Sequence, residues 1–170
     1  MTCYLVLTLI GDDKPGLVES LAKTISAHSG NWLESNMSQL AGKFAGILKV
    51  SVAEENSDGL VKALQAMPNG LKLMVEYAAS PATVGAPVTV EISLVANDRP
   101  GIIKEISAAL AALRINVESL TTTCAPAPMM GAELFNAKAI LNIPPTLALD
   151  HLKQELEKLA DDMIVDIAIS

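Results

Sequence analysis

Two short segments of the sequence carry residue types whose spacing suits the binding of a small carboxylate. They are residues 13–16 (Asp-Lys-Pro-Gly) and 98–101 (Asp-Arg-Pro-Gly), 85 positions apart, each between an apolar run and a helical pattern. The first N–H groups of a helix have no partner within the helix, and the helix dipole favours negative charge there. Each segment, called here the first corner and the second corner, is therefore expected to present backbone donors to an anion.

Each residue type in a corner has a physical role. Aspartate before a helix can cap or shape the turn, and proline suits the first helical turn because its missing N–H would be unpaired there. Glycine has no β-carbon, so another group can approach the donors. Asn31 and Asn116 follow each helical pattern and offer a donor and an acceptor in one side chain. The same pattern is also an ordinary turn before a helix, so both interpretations stay open at this point.

The elements that position the corners repeat. Each half predicts strand, helix, strand, strand, helix and strand, the order of a ferredoxin-like unit in which two helices cover one face of a four-stranded antiparallel sheet. The fold class is therefore α+β. The predicted strands are 3–10, 31–41, 44–52 and 71–77, then 88–96, 116–124, 134–143 and 163–169; the predicted helices follow each corner and span 57–67 and 146–160.

An ungapped offset of 85 residues also aligns the two halves outside the corners. Leu9 aligns with Leu94, and Ala27 with Ala112. Duplication explains this pattern. Residues 79–87 are rich in proline and small residues, so the predicted organisation is a first module at 1–78, a linker at 79–87 and a second module at 88–170.

The helix-free faces of the two sheets are predicted to differ. Tyr4, Val6 and Thr8, followed by Ile10, are predicted to point outward in the first half, whereas residues 89–93 place only polar residues outward. An apolar outer face suggests cover by another module or chain, and open sheets leave edge strands unpaired. We therefore expect the halves to pack together and the chain to form a homodimer.

Charge and composition narrow the class of function. The chain carries a formal charge of -7, with 6 basic and 8 acidic residues in 1–85 and 6 and 11 in 86–170. Direct nucleic-acid binding is not expected, because it depends on Lys and Arg neutralising phosphates. Two cysteines and two histidines at unrelated positions predict no metal site and no cofactor. No signal peptide or membrane span is expected, so the predicted location is the cytoplasm.

The segments that begin at Asp12 and Asn97 resemble the ACT domain, whose pattern is a strand, an Asp-Arg-Pro-Gly loop, a helix, and an Asn-Val or Asn-Ile opening of the next strand. The tandem layout resembles the glycine cleavage system transcriptional repressor family, and segment 131–144 (GAELFNAKAILNIP) is similar to a strand of that family's second module. Lys14 departs from the family's arginine, and Ala96 stands where the first half has Gly11. Equal affinity at the two corners is therefore not expected.

The resemblance implies an amino-acid site at the loop and helix start of each module. The ligand-site candidates that it implies are Asp13, Pro15, Gly16, Leu17, Asn31, Asp98, Pro100, Gly101, Ile102 and Asn116.

The resemblance also implies a function. The expected ligand is a small amino acid such as glycine or serine, and the expected partner is a regulated protein, for example a transcription regulator or a metabolic enzyme. An alternative is a ligand-free interaction module built from paired folds. Catalysis is not expected, because no nucleophile and base pair and no phosphate-binding loop are recognisable.

Overall fold

The computed structural model describes residues 1–68, 70–78, 87–128 and 131–169. The chain divides into two compact units, Met1–Ala82 and Thr83–Ser170. Residues 79–86, most of the predicted linker, lie outside the described residues, so the boundary within that segment stays a prediction. The two units are called module 1 and module 2.

Module 1 has the predicted order of elements around a four-stranded antiparallel sheet. The strand order in the sheet is β2-β3-β1-β4, which makes β2 and β4 the edges. The elements are β1 (Thr2–Asp12), α1 (Leu17–Ala27), β2 (Asn31–Leu40), β3 (Lys43–Ala53), α2 (Glu54–Gln65) and β4 (Lys72–Tyr77).

Module 2 repeats this architecture, and the predicted α+β class is confirmed. Its sheet has the order β6-β7-β5-β8, with β6 and β8 at the edges. The elements are β5 (Val88–Asn97), α3 (Ile102–Ala112), β6 (Asn116–Pro126), β7 (Glu133–Ile143), α4 (Leu149–Glu157) and β8 (Ile164–Ile169).

The cores follow from two sequence periods. Alternate residues of β1 point to the helix side, and Leu5, Leu7 and Leu9 are at most 1% exposed. The buried residues of α1 recur every four positions, from Leu17 through Leu21 to Ile25, which places them on one face of the helix. Apolar burial on this scale is the dominant favourable contribution to folding.

The largest boundary error of the sequence prediction concerns the helix after β7. The sequence predicts a helix over 146–160, but α4 covers only Leu149–Glu157. Leu147 N donates to the carbonyl of Pro144 at 3.0 Å, so the preceding residues form a turn. Two consecutive prolines restrict the backbone there and delay the helix start.

The helix-free face of module 1 is apolar, as predicted. In module 1, Tyr4 and Ile10 are 45% and 46% exposed, and the neighbouring Ile47 and Met74 are also exposed. On this face the Lys49 ammonium lies over the ring of Tyr4, with Nζ 5.7 Å from the ring centroid. What covers the apolar face stays a prediction.

The edge strand β2 carries the single tryptophan of the chain. Trp32 is half-buried, packs against the core of module 1, and donates from Nε1 to Ser35 Oγ at 3.2 Å. Met37 on the same strand also packs against that core. Packing is therefore the role that the structure gives to Trp32.

Candidate functional site

The first corner connects the end of β1 to the start of α1. Gly16 is the N-cap of α1 with φ 87° and ψ 1°, values typical of the third residue of a type II turn. Pro15 precedes it at the second turn position, where its fixed φ is favourable. The helical residues begin only at Leu17.

The second corner has the same backbone conformation. Gly101 is the N-cap of α3 with φ 90° and ψ -1°, and Ile102 N donates to the carbonyl of Arg99 at 3.3 Å to close the turn. The sequence predicted that Pro15 and Pro100 occupy the first helical turn, and this is wrong. Both prolines lie one residue before the N-cap, because the type II turn needs proline and glycine side by side.

Glycine is required at both corners by backbone conformation. A positive φ near 90° is strained for any residue with a β-carbon. A β-carbon built on Gly16 or Gly101 would meet no atom within 4 Å, so both turns face open space. The space directly beside each glycine is therefore open.

The first turn of each helix has free donors. Neither α1 nor α3 has a side-chain hydrogen bond at its N-cap. The carbonyl of Gly16 accepts from Ser20 N at 2.9 Å as the helix starts, and Asp13 N donates to Gly42 O at 3.0 Å. The main chain of Asp13 is therefore held by the β2–β3 turn, and its exposed side chain does not cap α1.

The two residues that follow the corner glycines have buried side chains. Leu17 is 6% exposed and Ile102 is 4% exposed, so both side chains belong to the cores. Each can meet a ligand only through its backbone. At each corner a buried apolar side chain holds the helix start on the core, and the backbone groups of the turn face solvent.

Two shallow pockets flank the first corner. One has a volume of about 400 Å³ and lies between the turn, the start of α1 and the α2–β4 connection at Pro68 and Gly70. The other has a volume of about 270 Å³ and reaches from Asp13 across the helix start to Phe44. Either volume exceeds what a small amino acid needs. Lys14, Gly16 and Glu19 line both pockets.

The ion pairs around the first corner leave the Lys14 ammonium available. Glu19 pairs with Lys23 at 2.6 Å, and Asp12 pairs with Lys43, whose ammonium lowers the pKa of the Asp12 carboxyl by hydrogen bonding and by its charge. Among the described residues, Lys14 has no acidic side chain within ion-pairing distance. A ligand carboxylate at this turn would therefore meet an unpaired ammonium.

The second corner differs because its cation is already paired. Arg99 donates from Nη1 to Glu105 Oε1 at 2.8 Å and from Nη2 to Oε2 at 2.5 Å, a bidentate pair. Its Nη2 also donates to the carbonyl of Leu159 at 3.2 Å. Hydrogen bonding to Arg99 lowers the pKa of the Glu105 carboxyl and raises the pKa of the Arg99 guanidinium.

The second corner is also joined to the turn before β8. Asn97 N donates to Asp162 Oδ2 at 2.6 Å. Cys124, which the sequence predicts only to be a reduced cysteine, lies beside the Asp98 carboxylate. Desolvation raises the pKa of the Cys124 thiol, and the charge of Asp98 adds to this. The pairing of Cys124 with Phe135 at the same sheet end depends on strand register, which spacing alone does not give.

Asn31 and the first corner lie at opposite ends of module 1. Asn31 pairs with Ser51, and Ser51 pairs with Tyr4, near the start of β1. The corner follows Asp12, eight residues further along the strand, or about 27 Å at the usual rise per residue. One module therefore does not bring Asn31 to its own corner.

Asn116 has the corresponding place in module 2. It pairs with Asn142, which pairs with Thr89 at the start of β5, whereas the second corner follows Asn97 at the other end of that strand. The candidate residues at each corner come together, and the two asparagines do not join them within a module.

Neither a metal centre nor a membrane helix is recognisable in the described part of the chain. No group of three or more His, Cys, Asp or Glu side chains is placed to hold a metal ion there. No described helix has the length and apolar character needed to cross a bilayer.

The repeated fold and its corners define a class of protein. Residues 3–78 and 90–161 each match the ACT domain, and the chain belongs to this family as a tandem ACT-domain protein. It is 22% identical over 163 residues to the glycine cleavage system transcriptional repressor of Escherichia coli strain K12, covering 94% of this chain and 85% of that protein. The repressor of Shigella flexneri matches with the same identity and coverage.

Solved structures show the same fold over the whole chain. The crystal structure of an unknown protein from Galdieria sulphuraria has a TM-score of 0.87 and 24% identity, covering 100% of this chain and 99% of that one. A crystal structure of a protein assigned as a glycine cleavage system transcriptional repressor has a TM-score of 0.68 and 16% identity, with the same coverage. At these identities the likeness concerns the fold.

Proposed function

We propose that this chain is a non-enzymatic regulatory protein that binds a small amino acid, such as glycine or serine, and alters the activity of a partner protein. The observation that carries the proposal is an open, donor-lined corner within a tandem ACT-domain chain. Its partner would be a transcription regulator or a metabolic enzyme. The acidic charge of the chain favours action through such a partner over direct contact with nucleic acid.

The groups around the first corner match both ends of an amino acid. The free N–H groups at the start of α1 and the Lys14 ammonium are donors for a carboxylate. The Glu19 carboxylate lines both pockets, and besides its exposed pair with Lys23 it has a second oxygen that can accept from an α-ammonium group. This pairing favours a zwitterion over a simple anion.

The affinity of such a site has an upper limit. Glycine has five heavy atoms, and the best small ligands reach about 1.5 kcal/mol per atom, or roughly 7 kcal/mol in total. That corresponds to a Kd of about 10 μM at best. Metabolite sensing operates at and above this range.

A homodimer would give Asn31 a place in the site. β2 is an edge strand, with Asn31 at one end and Leu40 at the corner end of the sheet. Antiparallel pairing of two β2 strands would bring Asn31 of one copy toward the corner end of the other. We propose this arrangement, in the cytoplasm, as the assembled form.

A second candidate is a ligand-free interaction module. The observation in its favour is the exposed apolar face around Tyr4, Ile10 and Met74, which suits a protein partner. Under this alternative the corners would be structural turns only.

Thermal unfolding with each of the twenty amino acids separates the two candidates. A ligand at a hundredfold excess over its Kd stabilises the folded state by about 2.7 kcal/mol, so a selective rise in Tm is expected. Gly16→Leu and Asn31→Ala should abolish or weaken this rise. Gly131→Leu is the matched control, because Gly131 also has a positive φ (63°) and open space but lies in module 2. A flat response to all twenty at millimolar concentrations would favour the interaction module.

A further inference from the structure

We propose that the two corners are unequal: the first takes the ligand, and the second is occupied by a carboxylate of the chain itself, that of Glu105. The inference rests on the proposed amino-acid-binding function and assigns it to one corner per chain. It follows from comparing equivalent positions in the two modules.

Each corner is surrounded by the same three structural positions. Position 14 is lysine where position 99 is arginine, and Ser20 corresponds to Glu105 at the same offset of 85 residues. The third place is the connection that follows the second helix of each module. In module 1 these places line the pocket of about 400 Å³.

In module 2 hydrogen bonds join the same three places. The Arg99 guanidinium binds both oxygens of Glu105, at 2.8 and 2.5 Å, and also the carbonyl of Leu159 at 3.2 Å in the α4–β8 connection. Two parallel N–H donors on one carboxylate are the arrangement that arginine forms with a free carboxylate ligand. Glu105 therefore stands where the carboxylate of a bound amino acid would stand.

The occupying group has an advantage over a dissolved competitor. Glu105 lies on the first turn of α3, six residues from Arg99, so its carboxylate is held close at high effective concentration. An amino acid at the second corner must displace it. At the first corner Ser20 carries no charge, and Lys14 has no acidic partner among the described residues.

The surrounding charges act in the same direction. Each corner has an aspartate of its own, Asp13 or Asp98, and the second has in addition the Asp162 carboxylate, which accepts from Asn97 N beside it. Beside the first corner the Asp12 carboxylate is paired with Lys43, and Lys72 lines the same pocket. The surroundings of the first corner are therefore less negative than those of the second.

Calorimetric titration with glycine and L-serine, and with any other amino acid that raises Tm, tests this inference. The wild-type chain should bind one ligand per chain, and Gly16→Leu should remove it while Gly101→Leu leaves it. Glu105→Ser, which copies Ser20, should add a second site, at least tenfold tighter than any residual binding at that corner. Glu157→Ser is the matched control, because it removes another half-exposed glutamate from an ion pair, that with Lys153. Should the serine variant not fold, Glu105→Gln provides the same test without the charge.

The possible failures are distinguishable. Two ligands per wild-type chain, or one that Gly101→Leu removes and Gly16→Leu does not, would overturn the inference and leave amino-acid binding standing. An unchanged stoichiometry in both Glu105 variants would also overturn it. A wild-type chain that binds none of the twenty amino acids removes the proposed function, and this inference with it.

Discussion

The two corners have nearly the same backbone and different surroundings. Gly16 and Gly101 have φ values of 87° and 90°, and both face open space. The cation at the first corner has no acidic partner among the described residues, whereas Arg99 is held by Glu105 and by a carbonyl oxygen. The Asp-X-Pro-Gly pattern therefore sets the shape of the turn, and residues outside the pattern decide whether its donors are free.

The edge strands show a second difference of the same kind. Trp32 and Met37 on β2 pack against the core of module 1. The aligned strand β6 has the smaller Val117, and beside it lies an apolar crevice of about 30 Å³ that Leu120 and Ile103 help to line. The two modules thus keep the same backbone although the side chains at this aligned position differ in volume.

Destabilising one module at a time tests whether the two modules unfold independently. Leu60→Ala and Leu152→Ala remove equivalent, fully buried leucines from α2 and α4, and each should cost about 2–5 kcal/mol of unfolding free energy. Because Trp32 is the only tryptophan, its fluorescence reports on module 1. Urea unfolding followed by fluorescence should shift for Leu60→Ala and stay in place for Leu152→Ala. An equal shift in both would mean that the modules unfold as one unit.

A smaller effect is expected where the two sheets differ in packing. In Gly46→Ala the added β-carbon would lie 2.6 Å from Met37 Cγ and too close to the carbonyl of Asn36, so we expect a loss of about 1–3 kcal/mol. Ala137 is the equivalent position by strand register, because Gly46 pairs with Leu9 and Ala137 pairs with the aligned Leu94. Ala137→Gly removes a buried methyl group and adds backbone freedom, which should cost about 1 kcal/mol. Far-UV circular dichroism in urea measures both. A neutral Gly46→Ala would contradict the close approach of β2 and β3.

Alanine at the corner glycines tests whether the two turns are conformationally equal. Gly16→Ala and Gly101→Ala should each destabilise the protein by about 1–2 kcal/mol, because both glycines have a strongly positive φ. Gly59→Ala is the control, since Gly59 lies within α2 and its β-carbon would make an ordinary contact at 3.6 Å with His28. It should stabilise the protein by about 0.5–1 kcal/mol. Unequal costs at the two corners would show that one turn is not fixed by its φ.

The smallest expected effect is the pH dependence of Tm that comes from the Arg99–Glu105 pair. Arg99 holds the pKa of the Glu105 carboxyl below its ordinary value of 4.5. A carboxyl with a lowered pKa stabilises the folded state above the ordinary value, and this stabilisation is lost as the pH falls through the folded-state pKa. Glu105→Gln should therefore lower Tm slightly at neutral pH and have less effect at about pH 3. Melting curves at both pH values, with Glu157→Gln as control, measure the difference. A constant difference would mean that the ion pair does not contribute.

Sequence periodicity was sufficient for the fold and for most element boundaries, because both depend on local alternation and on the repeat. Residue type alone misplaced the prolines, since proline suits both a first helical turn and a type II turn, and only the φ of the next residue separates these. Side-chain chemistry and the family resemblance also grouped Asn31 with the corner. The helix between them carries the chain to the other end of the sheet, a consequence of topology that residue types do not reveal.

The Arg99–Glu105 pair could have been noticed from the sequence but not interpreted. Six positions separate the two residues, and that spacing is not a helical neighbour distance. The contact exists because the type II turn directs Arg99 back over the helix start. Side-chain direction at a corner depends on the turn, and the turn is known only from backbone angles.

The left-handed glycines have a consequence for how such proteins are compared. Any mutation of Gly16 or Gly101 to a residue with a side chain strains the backbone whether or not a ligand is ever present. Selection for a stable chain therefore preserves these glycines on its own. The presence of these glycines in an ACT domain therefore indicates that the turn is intact. Whether the corner binds a ligand has to be judged from the charged residues beside the turn.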